Sequence, residues 1–337
     1  MKATMRDVAK QSGVSLQSVS NVLNGRTSQM REETRLRILQ SIRDLNYQPN
    51  VQARGLRLQC TKTMAFLTID PAVRFLSDPF HVAILSGMVD TLRQQDYGLL
   101  VQGFHPDQAG GGFRRLVHQR RFDGAVVHLS GSPDRRSEHI EELKSTGCPF
   151  VLIEDRAEAS TAACVLADNQ GGAAAAVALL QAEGHQRIGF LATDRLWPAV
   201  EKRITGYEEA IRTSGGRWSQ VWGVDRETVE GARSRVEAIL RDDPAVTAIL
   251  CANDVLAVGA IQAARQLGRK VPTSLSIIGF GDNDIAQHLD PPLTTVALPG
   301  VEMGGRAAEL LLAYIQNGKF DAPEVVFPTK LIRRGSA

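Results

Sequence analysis

The sequence predicts a small all-α head carrying a helix-turn-helix, followed by an α/β body of two lobes built on parallel Rossmann-like sheets. Three observations lead there. Residues 5–24, MRDVAKQSGVSLQSVSNVLN, read as two short helices around a glycine turn. From residue 64 onward, apolar strand-like runs alternate with amphipathic helical runs. The charge is also split between these regions. Residues 1–62 hold eleven Lys and Arg against four Asp and Glu, a net of +7, while the whole chain is only +2 and the remainder therefore −5. A basic head on a mildly acidic body suits contact with a polyanion. A merely solvated basic surface is the other reading that charge alone allows.

Composition narrows the class. At 337 residues the chain can bury a large core and hold two or more domains. Hydrophobic content of 43% and charged content of 23% are ordinary for a globular protein. The start, MKATMRDV, has no apolar signal region, and no membrane-length apolar run occurs, so a cytoplasmic protein is expected. Cys60, Cys148, Cys164 and Cys251 are scattered, which favours idle thiols over a metal site or disulfides.

In the head, helix one spans 5–12 with Val8 and Ala9 inward. Gly13 stands at the turn, where glycine accepts positive φ at little cost. Ser15 is placed as the N-cap of helix two. That helix runs to about Leu23, with Val19, Val22 and Leu23 facing the core at i, i+3, i+4. A third helix over 32–45 offers Leu39, Ile42 and Leu45 to the same core. Leu16, Gln17, Ser18, Ser20 and Asn21 are left on the outer face of helix two. In a helix-turn-helix the second helix lies in the major groove. Gln17 and Asn21 carry amides that can pair with adenine, and Leu16 can meet a thymine methyl. Ser15 and Ser20 suit phosphate oxygens. The segment NVQARGLR, 50–57, is short, basic and marginal as a lone helix.

In the body, strands are expected over 64–69, 99–103, 124–128, 150–153, 188–192, 247–251 and 276–280. Helices are expected over 82–94, 172–181, 200–214, 229–241 and 254–267. Such alternation implies parallel sheets covered by helices on both faces. The repeats are too many for one modest sheet, so two lobes follow. Ligands then bind in the crevice beyond the C-terminal strand ends.

The pieces Asp7-Val8-Ala9, Gly13-Val14-Ser15, Val19-Ser20, Val22-Leu23-Asn24, Leu45-Asn46-Tyr47, Pro49-Asn50 and Ala53-Arg54-Gly55-Leu56 make the head resemble that of the lactose-repressor/galactose-repressor family. The body resembles the same family's periplasmic-binding-protein-like core through Asp168-Asn169, Gly184-His185, Arg203 with Gly206-Tyr207, Ala252-Asn253-Asp254 and Leu289-Asp290-Pro291-Pro292. The resemblance implies a head at 1–49, a hinge at 50–62 and an effector-binding core at 63–337. Lobe one would take 63–166 plus 296–320, and lobe two 167–290 plus 321–337, with connections near 163–167, 290–295 and 321–326. It also implies a hinge helix that forms on DNA and wedges Leu56 into the minor groove, an insertion that bends the duplex. The other reading of Leu56 is a linker residue packed on the body. The DNA-binding set is then Ser15, Leu16, Gln17, Ser18, Ser20, Asn21, Asn24, Asn50, Ala53, Arg54 and Leu56. Arg31 stands where the family usually has a small hydroxyl residue at the start of helix three, which removes the expected N-cap, so that start is expected to shift or fray.

For the effector, the resemblance implies Phe80, His81, Asp155, Arg203 and Asn253, although structural satisfaction would also explain Phe80, His81 and Asp155. Arg and Asn donate to hydroxyls or anions, Asp accepts from hydroxyls, and an aromatic ring stacks on a sugar face. Trp197 joins them by position and chemistry, with packing at a lobe edge as its other reading. Two departures stand out. Gly281 occupies the place of the family's effector-binding Asp, with Asp282 one step on as a candidate substitute. Leu298 stands where Gln is common.

Enzyme motifs are missing: there is no H-E-x-x-H, G-x-S-x-G, P-loop or G-x-G-x-x-G. Asp282-Asn283-Asp284 lacks the glycine and closing Glu of a calcium loop. Neither cofactor nor metal is expected. The expected function is a sequence-specific DNA-binding regulator, a repressor, acting as a homodimer on a pseudo-palindromic operator. A small-molecule effector between the lobes, a sugar or related metabolite, would switch it. The alternative is a cytoplasmic or exported solute-binding protein for a carbohydrate transporter, against which the basic head and the missing signal region both argue.

Overall fold

A computed structural model of the chain describes residues 3–23, 25–27, 30–47, 60–70, 75–106, 110–194 and 197–337. The chain divides into two compact units, Met1–Thr61 and Lys62–Ala337.

The first unit holds α1 (Met5–Ser12), α2 (Leu16–Leu23) and α3 (Glu32–Asp44). Thr4 and Asp7 cap α1 reciprocally, each side chain serving the other's backbone N–H. Gly13 ends α1 at φ 65° and returns its N–H to the carbonyls of Ala9 and Lys10. Ser15 Oγ accepts the Ser18 N–H at 3.1 Å, capping α2 as the sequence predicts. Val8, Ala9, Val19 and Ile38 form the buried centre, with Val22, Leu23, Ile42 and Leu45 packed around it. Ile38 takes the place expected for Leu39. Positions 38, 42 and 45 make one helical stripe, and residue 39 lies a hundred-degree step away from it. Arg31 gives α3 no side-chain cap, yet the helix starts at Glu32. Glu32 and Glu33 in the first turn complement its positive end, and Arg35 pairs with Glu32 at 2.7 Å.

The second unit carries two six-stranded sheets. The first lobe contains β1 (Thr63–Ile69), β2 (Gly98–Phe104), β3 (Gly124–Leu129), β4 (Phe150–Ile153), β5 (Ala162–Ala167) and β11 (Glu324–Phe327). They run parallel in the order β11-β5-β4-β3-β1-β2. Helices α4 (Pro79–Arg93) and α11 (Gly300–Asn317) cover one face, and α5 (Gly112–His118) and α6 (Pro133–Thr146) the other. The second lobe contains β6 (Ile188–Thr193), β7 (Ser219–Val224), β8 (Ala248–Cys251), β9 (Ser276–Gly281), β10 (Thr294–Ala297) and β12 (Lys330–Ile332). Its order is β12-β10-β9-β8-β6-β7, with only the short β12 antiparallel. Around it pack α7 (Asn169–Ala182), α8 (Pro198–Thr213), α9 (Val229–Asp242) and α10 (Asp254–Gln266). The strand interiors are near-continuous apolar runs, as sheets buried on both faces require.

The chain changes lobes three times, at places that differ from the expected ones. Residues 163–167, expected as a connection, are buried strand β5, and the switch follows it at the start of α7. β10 pairs with β9 in the second lobe, so the return comes between Ala297 and Gly300, beyond the expected 290–295. β11 pairs with β5 in the first lobe, so the last switch lies between Phe327 and Lys330, beyond 321–326. In all three cases a strand finishes its pairing before the chain crosses, because an unfinished buried strand would leave backbone groups without partners. Among the described residues no helix is long and apolar enough to cross a membrane.

Candidate functional site

On the head, the outer residues of α2 form a polar face. Leu16 is 40% exposed. Gln17 Nε2 donates to Asn21 Oδ1 at 3.0 Å, which aligns the two amides along one side of the helix. Ser15 Oγ also meets Ser18 Oγ at 3.0 Å, so these hydroxyls already serve the helix start. Asn24, Asn50, Ala53, Arg54 and Leu56 lie outside the described residues, and with them the expected hinge helix.

In the second unit a cavity of about 180 Å³ opens between the two lobes. The first lobe supplies Asp70 at the end of β1, the turn Phe75–Ser77, Asp78 and Phe80 at the start of α4, and His128 in β3. The second lobe supplies Trp197 just before α8, Arg203 within it, Glu227, Asn253 before α10, and Phe280 of β9. Topology explains the convergence, since parallel strands of both lobes end at the same seam.

Arg203 is 7% exposed. Its Nε donates to Asn169 Oδ1 at 2.8 Å and its Nη1 to the Ala252 carbonyl at 2.6 Å. The guanidinium lies 4.0 Å over the Phe280 ring. Burial pulls its pKa down to about 10, and Glu154 counters that most strongly among the acidic groups. It therefore remains a fixed cation on the cavity wall. Asn253 caps α10, its Oδ1 accepting the Leu256 N–H at 2.9 Å, and its amide donates to Glu227. Asp78 caps α4 by accepting the Phe80 N–H at 2.9 Å. Asp254 is fully buried and holds the cavity floor: it accepts from Thr295 at 2.5 Å and from the Asn283 N–H at 2.8 Å.

Phe80, Trp197, Arg203 and Asn253, expected from the sequence, all line the cavity. His81, Asp155 and Asp282 do not, and each has another partner. His81 is fully buried behind the wall, with Nδ1 2.9 Å from the Phe75 carbonyl and Nε2 2.9 Å from His128 Nδ1. Asp155 accepts from Arg136 Nε at 2.9 Å. Asp282, at φ 56°, pairs with Arg334 at 2.7 Å, so it does not replace the carboxylate missing at Gly281. Gly281 and Leu298 do face the cavity, which leaves that part of the floor apolar.

The sequence reading missed His128, Asp70, Asp78, Glu227 and Phe280. The signal for most was the one already used for Asn253: a polar or aromatic residue at a strand end or helix start. His128 stacks on Trp197 at 4.4 Å with 22° between the rings. The Phe75 carbonyl can only accept, so His81 Nδ1 carries a proton. Burial lowers the His128 pKa well below the ordinary imidazole value, which keeps that ring neutral. The cavity thus presents a cation, several acceptors and aromatic faces, the chemistry suited to a polyhydroxylated ring.

Residues 4–50 match the family described as bacterial regulatory proteins, lacI family, and residues 177–337 match a periplasmic binding protein-like domain. The transcriptional regulator GalS of Salmonella typhimurium is 33% identical over 313 residues, covering 92% of this chain and 89% of GalS. The transcriptional repressor CytR of Escherichia coli is 32% identical over 336 residues, covering 99% of this chain and 96% of CytR. Among solved structures, the transcriptional regulator CelR in complex with cellobiose is 26% identical with a TM-score of 0.71, and the match covers 99% of this chain and 100% of CelR. Relatives of this identity span the whole chain, head and body together. The chain belongs to the lacI family of bacterial regulatory proteins.

Proposed function

We propose that the protein is a transcriptional repressor whose affinity for operator DNA is switched by a sugar or related metabolite bound between the lobes. The observation that carries this reading is the cavity at the seam between the lobes, in a chain that also carries a basic helix-turn-helix. Phe80, Trp197, Arg203 and Asn253 would hold the effector. Asp70 and Asp78 join them as acceptors for its hydroxyls. CelR is seen with cellobiose, and a lacI-family regulator of Enterococcus faecium with ribose. A carbohydrate is therefore the class to test here. Leu16, Gln17 and Asn21 would read base edges, with the remaining head and hinge residues on the backbone and in the minor groove.

The protein works as a cytoplasmic homodimer, one head on each half-site. Leu76, Val82 and Val89 support pairing: the latter two are one face of α4, and all three are 44–49% exposed. A ligand that changes the angle between lobes moves the two hinges together or apart, which biases their helix–coil equilibrium.

The test is a gel shift on the DNA upstream of the protein's own gene, with a panel of sugars, polyols and nucleobases. Retardation that a panel member alters is the expected result, and no retardation at moderate salt refutes the repressor reading. Leu56→Ala should weaken operator binding strongly without changing effector affinity. Arg203→Ala should keep operator binding and lose the effector response.

A further inference from the structure

We propose that Glu154 is a positioning residue for the effector site: through Asn169 it holds the Arg203 guanidinium at the cavity, and its ionisation tunes how that guanidinium is presented. This rests on the reading of Arg203 as an effector contact.

The geometry begins where β4 ends. Glu154 follows Ile153 at φ 62°, in the left-handed region that costs a residue with a Cβ. Its Oε2 accepts from Asn169 Nδ2 at 2.9 Å and from the Ala167 N–H at 3.3 Å. Asn169 Oδ1 in turn accepts Arg203 Nε–H at 2.8 Å. The amide of Asn169 has one workable orientation. A flipped amide would set its NH2 against the guanidinium and its oxygen against the carboxyl, losing both bonds. Glu154, together with the Ala167 carbonyl 3.2 Å from Asn169 Nδ2, therefore sets which way Asn169 faces, and Asn169 sets where Arg203 Nε points. The three residues are 6%, 1% and 7% exposed, so water cannot substitute freely for any link. The relay also crosses the seam, from β4 of the first lobe to α7 and α8 of the second.

A purely structural acceptor would need one oxygen. Glu154 Oε1 is buried with no hydrogen-bond partner, which leaves a place for a proton without disturbing the bond at Oε2. Burial raises the carboxyl to about 7, against the opposing pull of Arg203 from α8, of its hydrogen bonds to Asn169 and Ala167, and of Arg156 from its own segment. Its chain neighbour Asp155 is engaged by Arg136. Asp78, Glu227 and Asp254 also act on the Arg203 charge.

The experiment follows the Nε–Hε resonance of Arg203 by NMR in the full-length protein labelled with 15N-arginine, assigned by its loss in Arg203→Lys. In the wild type the resonance should move with pH with a midpoint near 7. In Glu154→Gln, where an oxygen still faces Asn169, the resonance should remain but lie flat across pH 5.5–8.5. In Glu154→Ala it should lose its protection from exchange. In Asp155→Asn the titration should persist. A resonance that does not titrate in the wild type, or titrates equally in Glu154→Gln, overturns the proposal. Titrations with ribose and cellobiose separate this from the effector reading. If one of them binds Arg203→Ala as tightly as wild type while the resonance behaves as expected, the relay stands and the role of Arg203 in binding falls.

Discussion

Closure of the two lobes rests in part on one ion pair, and Glu201→Gln isolates its contribution. Arg136 of α6 is 6% exposed. In the first lobe its Nε donates to Asp155 at 2.9 Å and its Nη1 to the Gly131 carbonyl at 2.5 Å. Across the seam, Nη1 and Nη2 donate to the Glu201 carboxylate of α8 at 3.2 and 3.0 Å. Replacing Glu201 by Gln leaves both first-lobe bonds intact and keeps one neutral acceptor for Arg136. The loss is one bond and the charge on the other. A charge-assisted bond contributes about 1.5–3 kcal/mol against about 1 kcal/mol for a neutral one. The Glu201 side chain is 34% exposed, so solvent screens most of that loss. A net cost of about 1 kcal/mol remains, or about a fivefold shift toward lobe opening. Hydrogen–deuterium exchange reads this directly: amides in 131–136 and 197–203 should exchange about five times faster in the variant. Unchanged exchange in both segments would refute a lobe tie at Arg136. Glu201 lies two residues from Arg203 on α8, so the tie and the cavity wall move as one element.

The remaining expectations concern packing, titration and DNA contact. A Cβ on Gly304 would sit 2.0 Å from the Ile84 carbonyl, so Gly304→Ala must push α11 off α4 and should cost about 1–3 kcal/mol. A melting temperature equal to wild type would contradict this. Glu154 has a folded pKa raised from 4.5 to about 7. Its protonated form therefore favours folding most below 4.5, and that stability is lost as pH rises toward 7, by about 3 kcal/mol. Glu154→Gln should gain on wild type by this amount between acid and neutral pH. A variant-minus-wild-type difference in urea stability that is equal at pH 5 and pH 8 would rule it out. Gln17→Ala and Asn21→Ala should each lose about 1–3 kcal/mol on the retarded DNA fragment. Because the two side chains bond each other, the double variant should lose less than the sum, and strict additivity would count against a shared reading face.

Much of the head was legible because its determinants are local. The Thr4–Asp7 cap, the Gly13 turn and the Ser15 cap set the bounds of α1 and the start of α2 within a few residues of chain. The spacing of apolar residues does the rest, with Leu39 against Ile38 as the one-step error that a short helix permits. In the body, regular alternation was enough to imply two parallel sheets. It did not reveal β5, whose run AACVLA is small-residue rich, the edge strand β7, whose first three residues are exposed, or the short β10, β11 and β12. All depend on pairing with a neighbour for their strand conformation.

By itself the sequence determined the two-part organisation, the DNA-facing helix, and the strand ends and helix starts that converge on a cleft. Only the tertiary structure decided which side chain at each of those places enters the cavity. Phe80 and His81 are adjacent on α4, a hundred degrees apart around the axis, and only Phe80 faces in. Glu154 and Asp155 are adjacent after β4, and the left-handed φ of Glu154 sends one to Asn169 and the other to Arg136. Gly281 lines the floor while Asp282 turns to Arg334. Backbone dihedrals and helix phase set these directions, and both are fixed by packing between segments far apart in the chain.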